Sequence, residues 1–127
     1  MTFYAELARE FSFESAHFLP NVPEGHKCGR MHGHSYTVEV HVRGAVDEHT
    51  GFVQDFGDLS AAFAPIGKQL DHHLLNEIHG LENPTSEHLA RWMWERLSGE
   101  LPLLDAIVVS ETPRSRCTYR GHSNGGE

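Results

Sequence analysis

The sequence has few cysteines, few basic residues and no long apolar run, and each of these scarcities excludes a class of protein. Only two cysteines, Cys28 and Cys117, occur in 127 residues, which excludes a disulfide-dense secreted framework. Ten basic residues stand against 18 acidic ones, and the resulting formal charge of -8 argues against nucleic acid or an anionic membrane as the main partner. No segment approaches the roughly 18 apolar residues of a membrane span.

The N-terminus also lacks the basic start and continuous apolar core of a signal peptide. We therefore expect a cytoplasmic protein in which Cys28 is a free thiol. With 39% hydrophobic residues, a chain of this length suits one globular domain with a modest core. We expect that domain to span residues 1–121 and a flexible, glycine-rich tail to follow over residues 122–127.

Histidine is abundant, with eleven residues, and the densest group lies in the stretch Cys28-Gly29-Arg30-Met31-His32-Gly33-His34. If the chain is a strand from Gly33 onward, His32 and His34 lie two residues apart and share a face. Two imidazoles on one face suit Zn²⁺, which needs at least a third protein ligand. His17, which closes the preceding run and could lie on the neighbouring strand, is the candidate.

Three interpretations of this group stay open. Three histidines with an open fourth position would form a catalytic zinc site, Cys28 as a fourth ligand would close a structural one, and the histidines could also bind no metal. Cys28 itself lies between Lys27 and Arg30 in a glycine-flanked loop, where positive charge favours a thiolate base or nucleophile. The alternative for this residue is a small buried hydrophobe.

Apolar periodicity predicts the order strand, strand, helix, helix, strand, strand. Pro65 should kink the first helix, and Thr85 or Ser86 should cap the second. We expect an α+β fold with a four-stranded antiparallel sheet and both helices on one face. Such a sheet leaves two edges unpaired. Proteins often protect such edges by pairing them with other copies of the chain to close a barrel. The predicted elements are residues 3–13, 34–43, 58–70, 85–98, 107–113 and 117–120.

Two further positions carry candidate chemistry. Asp71-His72 follows the first predicted helix and could orient an imidazole as in a charge-relay pair, or it could be a solvated helix terminus. Glu111 shares the apolar side of its strand with Ile107 and Val109, an expensive place for a carboxylate without partners. It either faces water at the strand end or accepts hydrogen bonds from a ligand with adjacent N–H donors, such as a pterin or purine edge.

Several motifs, in order and spacing, resemble the 6-pyruvoyltetrahydropterin synthase family. The resemblance covers roughly residues 8–121 and is strongest to the bacterial carboxy-forming members, which act in queuosine biosynthesis. It implies the tunnelling fold, in which trimers close a barrel and two trimers stack with active sites between subunits. The motifs are Cys28-x-x-x-His32-Gly33-His34 preceded by His17, residues 23–30, 70–76 and 80–87, and Glu111.

The resemblance also implies roles for individual residues. The implied substrate is 7,8-dihydroneopterin triphosphate, and the implied products are 6-carboxytetrahydropterin, acetaldehyde and triphosphate. The implied site consists of the zinc ligands His17, His32 and His34, the general base Cys28, the proton relay Asp71 and His72, and the pterin anchor Glu111.

The triphosphate needs cations, which are scarce in this acidic chain. We hypothesise that Lys27 and Arg30 bind it, together with the C-terminal arginines Arg114, Arg116 and Arg120. Relatives that only shorten the substrate side chain tend to carry glutamate where Cys28 stands, so the cysteine favours the full reaction. It does not separate a carboxy from a pyruvoyl product. A pyruvoyl-forming triphosphate lyase and a non-catalytic zinc- or pterin-binding module remain alternatives.

Overall fold

A computed structural model of the chain describes residues 2–121, so the tail predicted over residues 122–127 lies outside the described residues. The predicted order of strands and helices is confirmed, and single 3₁₀ turns lie in two of the connections. No helix within residues 2–121 is long and apolar enough to span a membrane. The strands and helices are β1 (Tyr4–His17), β2 (His32–Ala45), α1 (Phe56–Leu70), α2 (Ser86–Leu97), β3 (Leu104–Thr112) and β4 (Ser115–Tyr119).

The four strands form one antiparallel sheet in the order β1-β2-β3-β4, as predicted. β1 and β2 pair over their whole length, from Tyr4 opposite Ala45 to His17 opposite His32. The long connection between these two strands is therefore bracketed by histidines that face each other. Within the described part of the chain, no named strand pairs with the outer edge of β1 or of β4.

One face of the sheet supplies the floor of the hydrophobic core. Alternate residues of β2 show this most clearly, because Tyr36, Val38, Val40 and Val42 are all buried. Both helices contribute buried side chains to the same cluster, so the helices and this face of the sheet enclose a single core. The buried helical residues are Leu59, Phe63, Ile66, Leu70, Leu89, Ala90, Trp92, Met93 and Leu97.

Both helices begin at side-chain caps. The Asp55 carboxylate accepts a hydrogen bond from the N–H of Gly57 at the start of α1, and the Thr85 hydroxyl caps α2 in the same way. The expected kink at Pro65 does not interrupt α1. Pro65 and Ala61, whose carbonyl loses its N–H partner to the proline, both lie on the exposed side of the helix, where water can satisfy that carbonyl.

The chain that follows α1 runs alongside the last residues of β1. The Ala16 N–H donates to the His73 carbonyl at 3.1 Å, and Ala16 forms a parallel bridge with Leu74. The Ser15 hydroxyl also donates to the Leu70 carbonyl. These contacts carry β1 on to His17, four residues past the predicted end. They fix the place where the first candidate metal ligand lies.

The sheet face opposite the helices carries a histidine between two carboxylates. The ring nitrogens of His41 each lie 2.8 Å from a carboxylate oxygen, one of Glu6 and one of Glu39. Burial lowers the pKa of His41, but its hydrogen bonds to the two glutamates raise the pKa by more, so the net shift is upward.

We expect the stabilising contribution of His41 to depend on pH. Because its pKa is raised on folding, the contribution is complete below the unfolded value near 6.5 and is lost as pH rises through the folded value. In urea unfolding at one protein concentration, His41→Gln should therefore lower the free energy of unfolding more at about pH 5.5 than at about pH 9. His49→Gln, at an exposed turn, is the control. Equal losses from His41→Gln at both pH values would contradict the ionic role.

Candidate active site

The structure brings three histidines together where β1 ends and β2 begins. Each of His17, His32 and His34 offers one ring nitrogen, and these three atoms all lie within 4.8 Å of one another. The Nε2 atoms of His17 and His32 are 3.0 Å apart. Ligand nitrogens around a tetrahedral Zn²⁺ at 2.0–2.1 Å would be about 3.3 Å apart, so the spacing of this pair suits a shared metal ion.

The opposite ring nitrogens are already bonded to the main chain. The Nδ1–H of His17 donates to the Pro84 carbonyl at 2.9 Å, and that of His32 donates to the Arg30 carbonyl at 2.7 Å. In these tautomers the two Nε2 lone pairs face each other and repel unless a metal ion or a shared proton lies between them. Main-chain bonds of this kind orient metal-binding imidazoles in proteins, so the donor set fits zinc.

Burial prepares the histidines to act as ligands. His17 is 1% exposed, and burial lowers its pKa, against the opposing effects of the Pro84 carbonyl and the Glu111 charge. Burial also lowers the pKa of His34, again against the Glu111 carboxylate. Both rings are therefore neutral at neutral pH, which is the form that binds a metal.

Glu111 faces the histidine cluster. Its Oε2 atom lies 3.7 Å from Nε2 of His17 and 3.8 Å from Nε2 of His34, and the side chain is 29% exposed. The Tyr36 hydroxyl lies on the other side of His17, 3.2 Å from Nδ1. Burial, assisted by the Glu111 charge, raises the pKa of Tyr36 far above its ordinary value, so this hydroxyl stays protonated.

Cys28 lies in a single 3₁₀ turn, Lys27–Gly29, within the long connection between β1 and β2. The Nδ1 atom of His26 accepts a hydrogen bond from the Cys28 N–H at 3.0 Å, and the Cys28 carbonyl accepts one from Leu19 at 2.8 Å. Cys28 and Cys117 are both free thiols. The turn brings Cys28 to a cavity of about 400 Å³, which is lined by His17, Leu19, Lys27, Cys28, His32, His34 and Glu111.

The Asp71-His72 pair does not line this cavity. It lies at the end of α1, where Nδ1 of His72 is 2.9 Å from the Asp71 carboxylate. Two hydrogen bonds to its carboxylate lower the pKa of Asp71. The larger effect comes from the Glu14 N–H and the smaller one from His72. His72 adopts a left-handed backbone with φ of 58°, which is uncommon outside glycine, and it borders a separate cavity of about 470 Å³. His34 is common to both cavities.

The basic residues predicted to bind the triphosphate do not all lie at the same cavity. Lys27 lines the cavity with Cys28, whereas Arg30 is not among the residues that line it. Arg120 donates to the Asp105 carboxylate at 2.9 Å and so already has a partner. Arg114 and Arg116 are exposed around the turn between β3 and β4.

Three groups that shape the site were not singled out from the sequence. The Pro84 carbonyl belongs to the backbone, which no residue type announces. The Tyr36 hydroxyl belongs to a residue that the β2 pattern already assigns to the core. Asn76 was noted only as part of a motif, although its amide bonds both backbone groups of Phe18, the residue after His17. In the sequence it is one of two polar residues, with Glu77, between Leu75 and Ile78, which gives no signal of this role.

Comparison with known proteins decides the family. A family model described as 6-pyruvoyl tetrahydropterin synthase matches residues 6–122 of this sequence. The chain belongs to this family. The resemblance found in the motifs is thereby confirmed. Individual members of the family are similar to this protein along most of its length.

Three of these relatives illustrate the range of names. The 6-carboxy-5,6,7,8-tetrahydropterin synthase of Synechocystis sp. is 44% identical, over 87% of this chain and 89% of that protein. The 6-pyruvoyl tetrahydrobiopterin synthase of Drosophila melanogaster is 34% identical, over 92% and 80% respectively. The solved structure of the Caenorhabditis elegans 6-pyruvoyl tetrahydropterin synthase has a TM-score of 0.86 at 28% identity, over 94% of this chain and 96% of that one.

We expect the three histidines to bind one divalent metal ion per chain, measured by equilibrium dialysis of the metal-stripped protein against Zn²⁺. His32→Ala or His34→Ala removes one of three ligands and should weaken binding by more than about 100-fold, beyond the usual effect of losing an outer-shell contact. His79→Ala is the control, because that side chain is fully exposed and lies outside the cluster. Unchanged affinity in both ligand variants would mean that the metal binds elsewhere.

Proposed function

We propose that this protein is a zinc-dependent 6-carboxy-5,6,7,8-tetrahydropterin synthase of queuosine biosynthesis. It converts 7,8-dihydroneopterin triphosphate and water to 6-carboxytetrahydropterin, acetaldehyde and triphosphate. The observation that carries the proposal is the convergence of the three histidines, Cys28 and Glu111 on one cavity. The carboxy product is favoured because the Synechocystis relative, which carries that name, is more similar in sequence to this chain than the Drosophila relative is.

The chain would hold zinc through His17, His32 and His34. When bound, zinc supplies a Lewis acid that polarises the oxygens of the substrate side chain and acidifies the carbon beside the ring. The Pro84 and Arg30 carbonyls keep the His17 and His32 rings in the tautomer that leaves Nε2 free. Because these partners are main-chain atoms, the rings are oriented before substrate arrives.

Cys28 is the proposed general base. Its thiolate would take the proton from the substrate carbon beside the pterin ring, and general bases of this kind contribute about 10²–10⁴-fold to rate. The His26 cap and the Leu19 hydrogen bond hold its backbone at the rim of the cavity. Lys27, the adjacent residue, lines the same cavity and would bind the triphosphate, with Arg30 assisting from the end of the turn.

Glu111 is the proposed anchor for the pterin ring. A carboxylate accepts two parallel hydrogen bonds from adjacent N–H donors, and the guanidine-like edge of a pterin presents such a pair. Glu111 lies at the end of β3, on a rigid strand that neighbours β2. Its position beside two of the three histidines would place the ring next to the metal.

The Asp71-His72 relay would come from a neighbouring copy of the chain. In a single chain His72 borders a different cavity from Cys28, yet the proton chemistry needs the relay within hydrogen-bond reach of the substrate. The open edges of β1 and β4 suit closure of a trimeric barrel, and two such trimers would form a hexamer. Each active site would then be assembled at a boundary between copies.

A pyruvoyl product is the second candidate. The Drosophila relative carries the name of that activity, and Cys28 suits either reaction. In that case triphosphate leaves while the carbon chain of the substrate stays whole. The two reactions therefore differ in whether acetaldehyde is released.

Product analysis tests the proposal. We expect the zinc-loaded protein, incubated with 7,8-dihydroneopterin triphosphate, to yield a carboxylated tetrahydropterin by mass and acetaldehyde in a separate assay. Cys28→Ala should lower turnover by about 10²–10⁴-fold and leave zinc binding intact, while Cys117→Ala, at the other free thiol, should keep full activity. A pyruvoyl product without acetaldehyde would favour the second candidate. Unconverted substrate would leave only a zinc- or pterin-binding module.

Mixed assemblies test the shared site. Cys28→Ala and His72→Asn should each be inactive alone, and asparagine is chosen because it tolerates the left-handed backbone at that position. Co-expression of the two variants in equal amounts should restore about a quarter of the wild-type rate, since random assembly pairs two intact halves at that frequency. A mixture as inactive as its components would show that one chain supplies both groups.

A further inference from the structure

Asn76 lies in a single 3₁₀ turn, Leu75–Glu77, between α1 and α2. Its side-chain Oδ1 accepts a hydrogen bond from the Phe18 N–H at 3.0 Å, and its Nδ2 donates to the Phe18 carbonyl at 2.8 Å. The amide thus pairs with Phe18 as a neighbouring strand would. Phe18 directly follows His17, where the ladder between β1 and β2 has ended.

The same amide reaches the chain that orients the His17 ring. Its Nδ2 lies 3.4 Å from the Glu82 carbonyl, two residues before Pro84, whose carbonyl accepts from Nδ1 of His17. Asn76 therefore bonds both the backbone that carries His17 and the loop that holds its ring. The direction in which Nε2 points depends on the relation between these two segments.

The surroundings keep this amide in place. Leu75 in the same turn is fully buried, as is Leu81 further along the connection, so this stretch is anchored in the core. Without the amide, the Phe18 N–H and carbonyl would lose their partners at the start of a long connection that has only one short 3₁₀ turn. The end of β1 would then be free to fray, and His17 would move with it.

We propose that Asn76 is a positioning residue for the metal ligand His17, acting through Phe18 and through the loop that ends in Pro84. This inference rests on the metal site of the proposed function. An amide is required because Phe18 needs both a donor and an acceptor. Aspartate has the same shape but no donor, so it would set a carboxylate against the Phe18 carbonyl.

The test is zinc affinity of metal-stripped protein, measured by competition with a chromophoric chelator. Asn76→Ala and Asn76→Asp should each weaken Zn²⁺ binding by about 10–100-fold, the range seen when a group that orients a ligand is lost. The matched control is Asp55→Ala, which removes the cap of α1 outside the site. It should lower the melting temperature and leave zinc affinity unchanged.

A second readout needs no metal. In proton NMR of the metal-stripped protein, the Nδ1–H of His17 should exchange slowly with water in the wild type and faster in both Asn76 variants. The inference would be overturned if a folded Asn76 variant kept the wild-type zinc affinity and the wild-type exchange rate of the His17 Nδ1–H. It would also be overturned if Asp55→Ala lost as much zinc affinity as the Asn76 variants. Failure of the wild type to bind zinc would instead count against the proposed function, while the exchange rates would still decide the role of Asn76.

Discussion

A buried imidazole needs a partner at each ring nitrogen, and His17, which is 1% exposed, imposes this requirement on the structure around it. The Pro84 carbonyl meets it at Nδ1, with the Tyr36 hydroxyl close by. Nε2 is directed at the other two histidines, where a metal ion or a shared proton can reconcile the converging lone pairs. The hydrogen bonds at the end of β1 and in the loop before α2 hold this ring in place.

The connection from α1 to α2 serves two cavities. One stretch of it binds the end of β1 and helps to orient His17, and the other presents His72, with Asp71 bonded to its ring, to a separate cavity. The left-handed backbone at His72 lets the chain turn sharply after α1 while its N–H bonds to the Glu14 carbonyl. In the proposed assembly, the element that supports one active site would therefore donate a catalytic pair to another.

Local pattern was sufficient to predict much of this molecule. The strict alternation of β2 identified the sheet, and the spacing of His32 and His34 on one face placed two candidate ligands correctly beside each other. Pattern failed where the stabilising contact is distant in sequence. β1 runs on to His17 because of contacts more than 50 residues away, and neither the Pro84 carbonyl nor the separation of Asp71 from Cys28 leaves a trace in residue order.

The outer edge of β1 is covered at one end only. From Glu14 to His17, and on to Phe18 just beyond the strand, backbone groups are bonded by the chain after α1, whereas from Tyr4 to Phe13 no strand among the described residues pairs with the outer edge. A strand added to this edge, whatever its source, can extend only as far as Phe13 before it meets that chain. The covered end thus acts as a stop against sliding. Since a slip of one residue would turn every added side chain to the wrong face, this stop excludes the registers that would carry a neighbour past Phe13.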